Sequence, residues 1–208
     1  MKRAFFGSWG RTASVEPRAE QRCGNATATP PWFSSTARAI INHYSPWFGM
    51  MITVVSMSKR SSGTFERKPR DWYPTPLSAV AVLIPHLPTT SFCYCEPCAG
   101  DGALIQHLDT LASHALCTGA YDIEPQASHI ERASALSITY MSDRLFITNP
   151  PWDRPILHQL ITHLSDLAPT WLLLDADWMH TKQSVPYMSR CVKIVSVGRV
   201  KWLSLIHI

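Results

Sequence analysis

The chain predicts an α/β domain built on a mostly parallel sheet. Short apolar runs alternate with helical patterns along residues 92–197. One such run leads into the glycine-bearing turn Glu96 to Gly102, and another leads into Asn149, Pro150, Pro151 and Trp152. Strands that alternate with helices must be joined by crossovers, which give parallel sheets with ligands at the carboxyl ends of the strands.

The elements are justified in chain order. Residues 1–56, with Pro-, Ser-, Thr- and Arg-rich stretches at Val15 to Arg22 and Thr27 to Ser35, show no sustained period. They are expected to be disordered or a spurious extension. Met57 opens a Ser-, Lys- and Arg-rich lead and is the expected biological start, so the folded domain is expected over residues 57–203. Phe92 to Glu96 reads as a strand, and Ala103 onward as a helix with Leu104, Ile105, Leu108 and Leu111 on one face. Cys117 to Tyr121 is the second strand of this series, and Leu136 to Tyr140 is a weakly marked third. The run Leu145 to Thr148 is a fourth. Asp153 then caps a helix with Pro155 in its first turn and Ile156, Leu157, Leu160, Ile161, Leu164 and Leu167 on its apolar face. Trp171 to Leu174 suits a buried parallel strand ending at Asp175-Ala176-Asp177-Trp178, and Val192 to Val197 and Val200 to Leu203 complete the series. Residues 204–208 are a tail of doubtful origin, and the fold is expected to be truncated at its C-terminus.

The two turns carry the chemistry. An exocyclic amine conjugated to an aromatic ring is a poor nucleophile because its lone pair is delocalised. An Asn side-chain carbonyl and a neighbouring backbone carbonyl, both accepting from that amine, favour a more pyramidal nitrogen. Two prolines fix φ and offer no competing N–H, and Trp152 offers a flat surface for a base. An ordinary strand-to-loop turn is the bland alternative. Upstream, Gly100 and Gly102 permit a tight turn and close approach of backbone to a ligand at a helix N-terminus. Asp122 lies 20 residues beyond Gly102, the spacing of a ribose-binding carboxylate.

In this order the motifs resemble those of class I S-adenosylmethionine-dependent methyltransferases, and among them the small phage and prophage adenine-N6 DNA methyltransferases. The resemblance runs from about Asp71 to Trp202. It implies a Rossmann-like fold. It also implies that Tyr73, Pro74, Thr75 and Pro76 contact the methionine end of S-adenosylmethionine, and that Glu96, Pro97, Ala99, Gly100, Asp101 and Gly102 form the cofactor loop. Asp122 and Ile123 would form the ribose-binding strand end, and Asn149, Pro150, Pro151 and Trp152 the catalytic loop. The implied partner is DNA with an adenine flipped out of the stack. One departure is the acid that relatives place after the third strand, where the register here suggests Ser134. Related loops, usually with Tyr in place of Trp152, also act on RNA bases or protein glutamine amides, and an inactive copy that only binds cofactor or nucleic acid is a third alternative.

Composition bounds these readings. With 208 residues, 46% hydrophobic and 16% charged, the chain can bury one sizeable core. Residues 1–70 carry eleven Lys or Arg against three Asp or Glu, whereas 71–208 carry eight against twelve, so the basic head could touch a phosphate backbone. Ala4 to Gly10 is too short for a signal-peptide core and Trp47 to Val55 too short to span a bilayer, which favours a soluble cytoplasmic protein; the resemblance implies that it is encoded by a bacterial host or a phage. The six cysteines are expected as reduced thiols, and no metal is expected because Cys93, Cys95 and Cys98 lack a fourth ligand at a suitable spacing. Asp175 and Asp177 are read as loop or substrate-rim residues, with Trp178 and His180 bordering the substrate opening. Only 18 residues separate Trp152 from Trp171, leaving no evident target-recognition insertion. The DNA sequence recognised and the oligomeric state lie beyond this reading.

Overall fold

The computed structural model describes residues 49–56, 73–139 and 144–199. Seven strands form one sheet in the order β4-β3-β2-β5-β6-β1-β7, and every pairing is parallel. The strands are β1 (Met50–Ser56), β2 (Phe92–Glu96), β3 (Ala115–Asp122), β4 (Glu131–Arg132), β5 (Arg144–Thr148), β6 (Thr170–Asp175) and β7 (Cys191–Arg199). The helices are α1 (Leu77–Ala81), α2 (Ala103–Leu111), α3 (Arg154–Leu167), α4 (Ala176–Met179) and α5 (Val185–Met188), with 3-10 turns at Ile84–His86 and Ala135–Ser137. This is an α/β fold compatible with the Rossmann-like expectation. Counted from β2, six of the strands follow the doubly wound order 3-2-1-4-5-6, with β1 inserted between the fifth and the sixth.

Both faces of the sheet are covered, which is why its central strands read as unbroken apolar runs. On one face Val80, Leu83, Leu104 and Leu108 pack against Met51, Tyr94, Ile147 and Trp171. On the other, Leu157, Leu160, Ile161 and Leu164 of α3 pack against Met50, Ile52, Phe146 and Leu172. Helix α3 begins where Asp153 predicts, yet the Asp153 side chain makes no capping bond and its backbone carbonyl accepts from Leu157. Ile156, expected on the packed face, is 41% exposed. It falls one position before Leu157 and so points away from the sheet.

Strand β1 gives a place in the sheet to residues 50–56, the end of the segment 1–56 that was expected to be disordered or spurious. Met50–Ser56 pairs along its length with β6, from Met50 against Thr170 to Val55 against Asp175, and on its other side with β7. Six of its seven residues are buried. A boundary at Met57 would therefore cut through the sheet; residues 1–48, 57–72 and 200–208 lie outside the described residues. The third strand is also corrected. It is the two-residue β4, paired with Tyr121 and Asp122, whereas Ala135–Ser137 is a 3-10 turn whose Ser134 accepts from Leu136 N. Ser134 follows β4 closely, as the register suggested, but as a cap. The candidate strand at Val200 to Leu203 lies outside the described residues. Among these, β7 ends the sheet, with Val192 and Ile194 about half exposed.

Candidate functional site at the switch between β2 and β5

Strands β2 and β5 are hydrogen-bonded neighbours, and the chain leaves them in opposite directions across the sheet. In open α/β sheets this reversal leaves a crevice at the carboxyl ends. The Glu96 to Gly102 turn leaves β2 there, and Asn149 to Trp152 leave β5 at the same edge. The two motifs that the sequence singled out are therefore brought side by side.

The glycine turn is held from β3. Ala99 N donates to Tyr121 O at 2.8 Å, Gly100 N to Asp122 Oδ2 at 2.8 Å, and Gly102 N back to Ala99 O at 2.7 Å. Gly100 and Gly102 have φ of 56° and 82°, conformations that favour glycine. A Cβ on Gly102 would also lie 3.0 Å from the His129 Nε2 atom. Asp101 Oδ1 accepts from Ala103 N in the first turn of α2, while Pro97 and Ala99 of the loop are buried. Asp122 is expected to take a ribose, and its two oxygens already accept from Gly100 N and Glu124 N. Each carboxylate oxygen has a second lone pair, so Asp122 can clamp the loop and still accept from a hydroxyl. Ile123 beside it is 59% exposed.

Glu96 is the electrostatic centre of this loop. It is 1% exposed, and its Oε2 has no hydrogen-bond partner among the described residues. Burial first, and then the nearby Asp101 and Asp122 carboxylates, push its pKa well above the usual carboxylate range. A buried carboxylate among other acids is a site for a cation or a strong donor. The acceptors of the loop could hold a ligand that carries a cation and hydroxyls, with Glu96 toward the cation and Asp122 toward the hydroxyls.

Across the crevice, the Asn149 amide donates through Nδ2 to the Tyr73 carbonyl at 3.3 Å. A carbonyl can only accept, so the amide nitrogen faces it and Oδ1 is left to accept from elsewhere. The motif at Tyr73 thus meets the motif at Asn149 through a backbone atom. Thr75 is buried, and Pro76 is the N-cap residue of α1. Pro150 is buried and Pro151 half-buried. The Trp152 ring is half-buried and its Nε1 donates to Leu173 O of β6 at 3.1 Å, which fixes the orientation of the indole.

Other expectations fall away from this site. Trp178 is 4% exposed and donates to His158 Nε2 at 3.2 Å, so it is a packing residue. Asp175 caps α4 by accepting from Asp177 N. Cys95, Cys98, Cys117 and Cys191 are free thiols. Burial pushes Cys95 and Cys98 up to about 12, so neither is a ready nucleophile. No group of His, Cys, Asp and Glu suited to a metal occurs among the described residues, and no helix there is long and apolar enough to cross a membrane. His129 was not singled out by the sequence, because its place against Gly102 follows from the path of the chain after Asp122. No family model, curated protein or solved structure matches the chain.

Proposed function

We propose that the chain is an S-adenosylmethionine-dependent methyltransferase acting on an amino group, with adenine N6 in DNA as the target the motifs favour. The observation that carries this reading is the Asn149 amide. Its nitrogen is turned to the Tyr73 carbonyl and its Oδ1 is left as an acceptor, one strand away from the acidic glycine loop.

The cofactor, when bound, supplies an already activated methyl group. Glu96 and Asp122 would hold its cationic and ribose ends, with Tyr73, Pro74, Thr75 and Pro76 on the opposite wall. Asn149 Oδ1 and the Pro150 carbonyl accept from the target NH2, drawing its lone pair out of conjugation. Trp152, its orientation fixed by Leu173, gives the flipped base a surface. Placing nucleophile and donor together is the main contribution asked of the protein.

The test is transfer of labelled methyl from S-adenosylmethionine to unmethylated DNA by the full chain, followed by nucleoside analysis. Asn149→Ala is expected to lower transfer about 100-fold or more, by analogy with removal of one preorganised hydrogen-bonding group, while cofactor affinity stays within a few-fold. N6-methyladenine formed by the unmutated chain and lost in the variant supports the reading. Label in RNA or a protein amide moves the substrate class, and a folded chain that binds cofactor but transfers to none of these overturns the enzymatic reading.

A further inference from the structure

The segment that follows β6 is wound in successive turns. His180 N donates to Asp177 O, Thr181 N to Trp178 O and Ser184 N to Thr181 O, and the hydroxyl of the buried Ser184 lies 2.9 Å from Met179 O and 2.8 Å from Thr181 O. Lys182 and Gln183 are exposed on this segment. Gln183 Oε1 accepts from the guanidinium of Arg154, the first residue of α3, at 2.8 Å. The pair stands beyond the carboxyl ends of the neighbouring strands β5 and β6. Arg154 follows Trp152 by two residues, at most about 7 Å of chain.

This pair offers donors almost alone. A guanidinium has several N–H groups and accepts nothing, and one of those of Arg154 is used on Gln183. The Gln183 oxygen is used in return, which leaves the two protons of its amide without a partner among the described residues. The charge is also uncompensated. Arg190 is paired with Asp166, whereas Arg154 and Lys182 make no ion pair among the described residues. Asp153, Asp175 and Asp177 share this edge, so it is no broad basic patch, and Asp175 accepts from Asp177 N instead of from Arg154. A neutral amide thus orients the cation without cancelling it. The matching ligand group is an anion with two oxygens, which a guanidinium takes through parallel bonds.

We propose that Arg154, oriented by Gln183, binds a phosphodiester of the nucleic-acid strand that carries the target base. This contact rests on the reading of Asn149 to Trp152 as a base-binding loop. A nucleotide flipped onto Trp152 brings its own flanking phosphates to the rim of the pocket, where Arg154 stands. Arg154 is the group that touches substrate, and Gln183 is a positioning residue. A protein glutamine amide brings no phosphate to that rim, so the contact favours nucleic acid as the substrate class.

Binding of the full chain to a fluorescent mixed-sequence DNA duplex, to its single strand and to the matching RNA, over about 50–200 mM salt, reads this contact without requiring transfer. Arg154→Ala is expected to weaken binding about 10-fold. It is also expected to flatten the slope of log affinity against log salt by about 0.9 on duplex or about 0.7 on single strands. Arg154→Lys is expected to recover the slope, and Gln183→Ala to keep the slope while weakening binding. An unchanged slope in Arg154→Ala, or no binding of the unmutated chain to any of the three, overturns the proposal. Methyl transfer measured in parallel separates the two readings. A flattened slope without transfer supports the contact and counts against the methyltransferase, and transfer with an unchanged slope does the reverse. Flattening confined to RNA supports the contact and moves the strand from DNA to RNA.

Discussion

Glu96 is where stability and function pull in opposite directions at a single side chain. Its folded pKa is raised by burial and by Asp101 and Asp122, so the folded state favours the protonated carboxyl. Its contribution is therefore most favourable below the unfolded value of 4.5 and is lost as pH rises through the higher folded value. Without a cationic ligand, Glu96→Gln is expected to raise Tm at pH 8, by about 2–4 °C for each kcal/mol of relieved desolvation. The gain should shrink as pH falls. The same variant is expected to bind S-adenosylmethionine at least about 10-fold more weakly, on the scale of a charge-assisted hydrogen bond. Calorimetry with and without cofactor separates the two effects; a variant that loses stability and keeps affinity would contradict the assigned role. Much of the site at this scale was legible from residue identity, because Asn149, Glu96 and Gly102 announce their chemistry by type. Tyr73 was legible as a motif residue, but its contribution here is a backbone carbonyl, which every residue possesses. The bonds from Gly100 and Glu124 to Asp122 were hidden for a similar reason, since amide donors leave no mark in a sequence.

Strand β1 sets the lesson for elements. The run Met50 to Val55 is apolar enough for a buried strand, yet its partners begin at Thr170 and Cys191, and no local period could point so far. Its polar, unpatterned flanks made it read as part of a disordered head. The strands β2, β5 and β6 were legible because each leads directly into a turn or helix with its own signature. The third strand was misplaced because two residues, Glu131 and Arg132, cannot show a pattern. A consequence can be tested by starting the chain at Met57. That truncation removes five buried apolar side chains, Met50, Met51, Ile52, Val54 and Val55. At roughly 1.5–3 kcal/mol each, their loss matches or exceeds much of the roughly 5–15 kcal/mol of net stability that a domain has. It also leaves facing edges of β6 and β7 unpaired. The truncated chain is expected to be largely unfolded or aggregated by circular dichroism and size exclusion, whereas a chain beginning at residue 49 restores the missing strand. A well-folded chain from Met57 would show that β1 is dispensable.

For the whole molecule, the sheet order sets where the crevice lies, and a contact on the α3 face is expected to make stability depend on pH. The crevice lies where the path reverses between β2 and β5, and the chain from Asn149 leads straight into α3. From α3, His158 stacks on Tyr187 of α5 with ring centroids 4.6 Å apart, and its Nε2 faces the indole N–H of Trp178 in α4 at 3.2 Å. Because the indole only donates, His158 must be neutral there, with its proton on Nδ1. Burial first, and then the nearby Arg154, lower its pKa below 6.5. The contribution of this contact is thus fully present above 6.5 and is lost as pH falls from there through the lower folded value. Protonation would set donor against donor and release the crossover between β6 and β7 from α3. His158→Phe keeps a ring against Tyr187 but removes both the acceptor and the titration. Thermal melts between pH 7.5 and 5 are expected to fall more steeply for the unmutated chain than for the variant. The difference between the two slopes isolates His158 from the other histidines, and parallel curves would mean that the contact does not couple stability to pH.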